Sequence, residues 1–259
     1  MDGTLLNSAH EVSDHFFNLF EELKSQNILF AAASGRQYNS IIEKLRPIKD
    51  DIIVIAENGG YAMHKEKELL ATPLDNQHQQ KVLELLKSID SIYPVLCGKQ
   101  NAYITGDSDA FVQTLKEYYT EFTILEQLEQ HAGEILKIAI YHYESSEKFI
   151  YPQVKHLEDH LKVKVSGENW LDISSLNAHK GYALQKVMDL YHIASDEIMV
   201  FGDYNNDLEM MALADVSVAM ANAHPNVKSI SNYETTSNDE MGVERFLEKL
   251  IMAKKNVKY

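Results

Sequence analysis

The chain has 259 residues, enough for one large domain or two moderate ones around a buried core. Its formal net charge of −15 argues against nucleic acid as a partner, because binding to a phosphate backbone relies on clustered Lys and Arg; a small phosphorylated metabolite held by a cation remains compatible. No apolar stretch nears the roughly 20 residues that span a bilayer, the opening residues lack a signal-peptide pattern, and the lone Cys97 excludes an internal disulfide, so no membrane partner and a cytoplasmic location are expected.

Residues 14–25 carry Phe16, Phe17, Leu19, Phe20 and Leu23 as a helical stripe, with Ser13 placed to cap it. Residues 28–33 are a short continuous apolar run, the pattern of a strand buried on both faces. A helix is predicted over 38–45, with Pro47 beyond its end, then a second buried strand over 52–56 and a turn at Asn58-Gly59-Gly60. From about residue 76 to 174 the pattern changes. Longer helices over 77–89, 109–118 and 147–161 are interspersed with alternating strands such as 137–141 and 162–165, which predicts an antiparallel sheet with one wet or partner-facing side. The first pattern then resumes: a helix over 180–191, a strand over 198–201, a helix over 206–213, a strand over 216–219 and an amphipathic helix over 240–252. The predicted fold class is α/β. A Rossmann-like parallel sheet core, residues 1–75 and 175–259, carries an inserted α/β domain with an antiparallel sheet at 76–174.

Hydroxyls and carboxylates follow the predicted strands. Ser34-Gly35-Arg36 comes after the first and Gly202-Asp203-Tyr204-Asn205-Asn206-Asp207 after a later one, while Met1-Asp2-Gly3-Thr4 has the same character. In an open parallel sheet such loops converge on one crevice. With Lys180-Gly181 at a helix start, these pieces resemble, in order, the four motifs of the haloacid-dehalogenase-like (HAD) phosphohydrolases, and the resemblance covers nearly the whole chain. The place and length of the insertion, Asn58-Gly59 and residues 222–228 are similar to the Cof-type subfamily, in which an α/β cap covers the active site.

The resemblance implies Mg²⁺-dependent hydrolysis of small phosphorylated metabolites, sugar phosphates foremost, through an aspartyl-phosphate that splits one slow reaction into two easier steps. Asp2 matches the second carboxylate of the first motif, which protonates the leaving alkoxide and then deprotonates the attacking water. Asp203 matches the Mg²⁺ ligand, the main-chain carbonyl of Asp2 would be a further ligand, and Asp207 would order both from behind. Ser34, the Gly35 amide, Lys180 and Asn206 match the groups that hold the phosphoryl oxygens, Lys180 also neutralising charge in the transition state. Arg36 and Asn58 are candidates for substrate contact; Arg36 equally suits pairing with a carboxylate.

One departure matters. The family's first motif is Asp-x-Asp-Gly-Thr, its first Asp the nucleophile; here x is Met1, so the nucleophile and the central strand carrying it would precede Met1. Four or five buried aliphatic residues there would contribute about 1.5–3 kcal/mol each, comparable with a domain's whole stability of about 5–15 kcal/mol. An incomplete start is expected, with the chain from Met1 alone inactive and upstream codons restoring turnover. The alternatives are a non-catalytic phosphometabolite-binding protein that has lost the nucleophile, and a phosphomutase.

Plainer readings compete for single residues: Asp2-Gly3 as a turn, Ser34-Gly35 as a helix cap, Lys180 as a surface lysine. Asp203-x-Asn205-x-Asp207 begins like a calcium loop, but Leu208 stands where Gly is needed and Ala214 where Glu is needed. His156 and His160, spaced i, i+4, lack a third ligand and read as a solvated helix face, and Trp170 reads as packing. The sequence leaves the oligomeric state open.

Overall fold

The computed structural model describes residues 1–116, 118, 119 and 121–256. Helix α1 (Asp14–Ser25) starts at Ser13, whose hydroxyl oxygen accepts from the Phe16 amide at 3.1 Å and whose proton goes to Glu244 at 2.6 Å. A cap of this kind stabilises a helix by about 1 kcal/mol. Strands β1 (Ala31–Ala33) and β2 (Ile53–Ala56) pair in parallel, with α2 (Tyr38–Lys44) between them in sequence. All four β2 residues are buried, and Ile53 and Ile55 pack on Ala183 and Val187. A hairpin adds β3 (Tyr61–His64), antiparallel to β2, and β4 (Lys67–Ala71) at the sheet's edge.

The inserted region runs through α3 (Asn76–Leu86), β5 (Ile92–Cys97), β6 (Ala102–Thr105), α4 (Asp109–Leu115), β7 (Phe122–Leu125), β8 (Lys137–His142), α5 (Ser146–Phe149), α6 (Tyr151–Val154), β9 (Lys162–Val165) and β10 (Trp170–Ser174). Its strands lie in the order β7-β6-β5-β8-β10-β9, antiparallel except for β6 with β7. Strand alternation divides the interior: Leu96, Ile138, Ile140, Leu171 and Ile173 pack with Val82, Leu83 and Leu86, whereas Val95, Cys97, Ile104 and Ala139 pack with Phe111 and Leu115. Both faces therefore carry apolar clusters, where one wet or partner-facing side was expected. The β6–α4–β7 crossover supplies the second cover.

The helix expected over 147–161 is broken instead. Pro152 stands in the first turn of α6, where a missing N–H costs nothing, so the helix restarts there and then tightens into a 3-10 stretch, Lys155–Asp159. His156 lies on that stretch and His160 after it; at three residues per turn they do not share a face, and both are exposed. Trp170 packs among aromatics, 4.9 Å from the Tyr141 ring and 5.3 Å from that of Tyr118. Glu117, within the helix expected over 109–118, lies outside the described residues.

The chain then forms α7 (Lys180–Tyr191), β11 (Met199–Gly202), α8 (Leu208–Met211), β12 (Val216–Ala219), α9 (Pro225–Ile230), β13 (Tyr233–Glu234) and α10 (Gly242–Asn256). Strands β11, β12 and β13 are all parallel. Two compact units result: residues 1–36, 40–70 and 179 onward form the first, residues 37–39 and 71–178 the second. No helix among the described residues is long and apolar enough to cross a membrane.

The first unit's core is in two pieces, the mixed sheet β1-β2-β3-β4 and the parallel sheet β11-β12-β13, rather than one continuous sheet. β1 and β11 are edge strands, and residues 1–4 lie between their ends. The Met1 nitrogen donates to the Ala33 carbonyl at 3.3 Å and the Thr4 hydroxyl to Asp203 at 2.5 Å. The run at 28–33 consequently differs from β2. Only residues 31–33 find ladder partners, Leu29 is 43% exposed and Ala31 is exposed.

Candidate active site

Every residue given a catalytic, phosphate-binding, metal or substrate role from the sequence lies in the first unit. Ser34 follows β1, Asn58 follows β2 and Asp203 follows β11, so the loops share the carboxyl ends of parallel strands. Ser34 is 2% exposed and fixed on three sides. Its amide donates to the Ile55 carbonyl at 2.9 Å, its carbonyl accepts from the Asn58 amide at 2.9 Å, and its hydroxyl oxygen accepts from the Arg36 amide at 3.2 Å.

Asn58 adopts the left-handed region, φ 54°, which Asn tolerates better than most residues. Its side chain lies against Gly35, and the side-chain oxygen Oδ1 accepts from the Asn206 side-chain amide at 3.0 Å. Asn58 thus brackets two of the phosphate-loop candidates together. Gly59, at φ 99°, has no room for a side chain, because a Cβ there would collide with the His179 carbonyl. That close approach seats the first turn of α7, capped by the His179 ring, which accepts from the Tyr182 amide at 3.1 Å.

Lys180 begins that turn. It is 3% exposed, and its ammonium donates to Asp207 at 2.6 Å. Burial alone would raise the Asp207 pKa, but the charge and hydrogen bond of Lys180 and backbone donation from Asp203 outweigh it and hold the carboxylate below its ordinary range. The other Asp207 oxygen accepts from the Asp203 amide at 3.0 Å, so Asp207 is fully engaged in shaping the loop. Asp203 behaves oppositely. Burial first, with repulsion from Asp207, raises its pKa, only partly offset by the Thr4 hydrogen bond. Gly3, at φ 68°, packs so tightly on this carboxylate that any side chain would strike it.

Asp2 faces Arg36. The guanidinium grips both carboxylate oxygens, Nε to Oδ2 at 2.8 Å and Nη2 to Oδ1 at 2.5 Å. Burial would raise the Asp2 pKa; the Arg36 hydrogen bonds and charge reverse this and bring it down to about 2. Arg36 therefore pairs with a carboxylate here, the second of its two expected roles.

Four further contacts carried no sequence signal beyond their motif. His10 Nδ1 stands 3.2 Å from Asp2 Oδ1, and the Thr4 hydroxyl anchors Asp203. Asn222 donates to the Gly3 carbonyl at 2.8 Å, and the His224 amide donates to the Asp203 carbonyl at 2.8 Å. The 222–228 segment thereby braces both acidic loops from outside.

Among the described residues no group of three or more His, Cys, Asp or Glu is placed to hold a metal ion. The donors that remain, the Asp203 carboxylate and the Asp2 main-chain carbonyl, are hard oxygens. A half-buried carboxylate whose pKa burial has raised is stabilised in its charged form by a nearby cation. These residues fit a Mg²⁺ ion that keeps several water ligands.

The family model for haloacid dehalogenase-like hydrolases matches residues 1–247. The 5-amino-6-(5-phospho-D-ribitylamino)uracil phosphatase YbjI of Escherichia coli is 29% identical over 258 residues, covering 97% of this chain and 94% of that protein. The phosphatase YwpJ of Bacillus subtilis is 26% identical over 279 residues, covering 97% and 98%. The crystal structure of SMU.1108c from Streptococcus mutans superposes with a TM-score of 0.86 at 27% identity, covering 97% of each chain. The ordered motifs, the fold and these matches agree: this chain is an enzyme and belongs to the haloacid dehalogenase-like hydrolase family.

Proposed function

We propose that the protein is a phosphatase of small phosphorylated metabolites, sugar and polyol phosphates foremost, working through an aspartyl-phosphate. The observation that carries this reading is the set of contacts at the carboxyl ends of β1, β2 and β11 and the start of α7: Arg36 joins Asp2 to Ser34, Asn58 joins Ser34 to Asn206, and Asp207 joins Lys180 to Asp203.

In the first step a carboxylate oxygen attacks phosphorus and the ester P–O bond breaks. The Asp of the family pattern that would do so falls immediately before Met1. Ser34, the Gly35 amide, Lys180 and Asn206 hold the phosphoryl oxygens, contributing about 3 kcal/mol each by analogy with other preorganised donors. Asp2 delivers a proton to the leaving oxygen, and in the second step takes one from the water that releases phosphate. A Mg²⁺ ion held by Asp203 and the Asp2 carbonyl supplies charge neutralisation on the phosphoryl group when bound. Lys180 is kept in place by Asp207 throughout.

The test uses protein expressed with whatever its reading frame encodes ahead of Met1. It is assayed with Mg²⁺ and with EDTA against a panel of phosphate monoesters. The panel includes 5-amino-6-(5-phospho-D-ribitylamino)uracil, the compound in the name of the Escherichia coli relative. Mg²⁺-dependent release of phosphate is the expected result. Binding without turnover, or transfer to a second sugar hydroxyl, defeats it.

A further inference from the structure

We propose that His10 is a positioning residue for the Asp2 carboxyl group, holding this acid in register while Arg36 releases it. The inference rests on the phosphatase reading above. As the site stands, Arg36 occupies both Asp2 oxygens, at 2.8 and 2.5 Å. A carboxyl group that donates to a leaving oxygen needs one of its oxygens clear, so the productive arrangement has Arg36 withdrawn from at least one. A carboxyl losing its bidentate partner also loses its aim, and misplacing a reacting group by a fraction of an ångström is costly. His10 supplies a second contact on one oxygen only: Nδ1 lies 3.2 Å from Oδ1, so Oδ2, which here accepts from Arg36 Nε, is left clear for the ester once the guanidinium withdraws. Nδ1 is also 3.4 Å from Arg36 Nη2, so the ring sits against both partners of the pair.

The loop that presents His10 is built for the purpose. His10 has φ 59°, an unfavourable backbone conformation for a residue with a side chain. Such strain persists only where surroundings over-determine it. Asn7 supplies that restraint, its side-chain oxygen accepting from the Ala9 amide at 3.0 Å and the Glu11 amide at 2.9 Å, while the His10 amide donates to the Asn7 carbonyl at 2.9 Å. Ser8 is tied to Asp239 through its amide at 2.7 Å and its hydroxyl at 2.6 Å. The imidazole itself is 61% exposed, so burial does not account for its placement.

Two substitutions keep the loop, because Asn and Gly both accept a left-handed backbone: His10→Asn and His10→Gly. With protein expressed from its full reading frame, kcat/KM is measured for p-nitrophenyl phosphate, whose leaving group needs no proton, and for an alkyl ester such as ribitol 5-phosphate, whose leaving group does. This ratio reports events up to cleavage of the ester bond. In His10→Gly the alkyl ester is expected to lose about tenfold, with p-nitrophenyl phosphate within about twofold, and His10→Asn restores most of the loss. An equal loss on both esters, or no loss on either, overturns the proposal. So does an NMR tautomer measurement that finds Nδ1 without a proton in the resting protein. A wild-type protein that hydrolyses neither ester overturns the phosphatase reading itself and this inference with it.

Discussion

The two units each bury a lysine against an aspartate, and the two pairs are not alike. Lys137 and Asp172 meet at 3.2 Å across neighbouring antiparallel strands, two residues out of register, each side chain 12% exposed. Lys180, at the start of α7, and Asp207, in the loop after β11, meet at 2.6 Å, each 4% exposed, and Asp207 also receives the Asp203 amide. The first is a diagonal pair on a sheet face, the kind that contributes roughly 0.2–1 kcal/mol. The second is joined to backbone donors that shape a loop and to a neighbouring carboxylate with a raised pKa. Burial of a charge pair alone does not mark a functional site; convergence with other directed polar groups does.

The sharpest way to break this contrast is to remove each lysine. Lys180→Met is expected to cost about 3–5 kcal/mol in urea unfolding, because it leaves Asp207 buried and unpaired, and to lower kcat/KM by about 100- to 1,000-fold. Joint replacement of Lys137 by Met and Asp172 by Leu should change stability by only about 1 kcal/mol, with kcat/KM within about twofold. Comparable losses in turnover from both would erase the distinction. Next in size, Asp203→Asn should remove Mg²⁺-dependent turnover, a loss of about 100-fold or more, while circular dichroism and thermal unfolding show a folded protein.

A smaller effect concerns acid stability. The Asp2 carboxyl is lowered from its usual 3.8 to about 2, so its contribution is fully present above pH 3.8 and is lost as pH falls towards 2. Asp2→Asn should flatten that limb of a stability-versus-pH curve by less than about 1 kcal/mol, since the side chain is 44% exposed and screened by solvent. Smallest of all, His156→Ala should leave turnover unchanged, as expected for an exposed residue on a 3-10 stretch of the second unit.

Residue type and order carried much of the architecture. The apolar run at β2, the Ser13 cap and the start of α7 at Lys180 are local signals, and each is where its pattern places it. The motif residues were legible for the same reason: Ser34 and Asp203 stand immediately after strands, and position after a strand is a sequence property. Other features depend on partners remote in the chain. The helix at 147–161 was overruled by Pro152 and by packing of Ile150 and Val154 into the second unit's core. The exposure of Leu29 follows from which strand edges meet, which an apolar run cannot reveal. His10 was invisible because an exposed histidine in a polar loop has no pattern; only folding brings it to Asp2.

The packing of Ile53 and Ile55 on Ala183 and Val187 also sets a timetable. As the ribosome extends the chain, β2 emerges before the helix that shields it, and residues 71–178 of the second unit are made in between. That second unit has its own core and can settle early, while the strands ahead of it wait unprotected. Folding of the first unit is therefore expected to be the late, post-translational event, and the interval in which chaperones matter most.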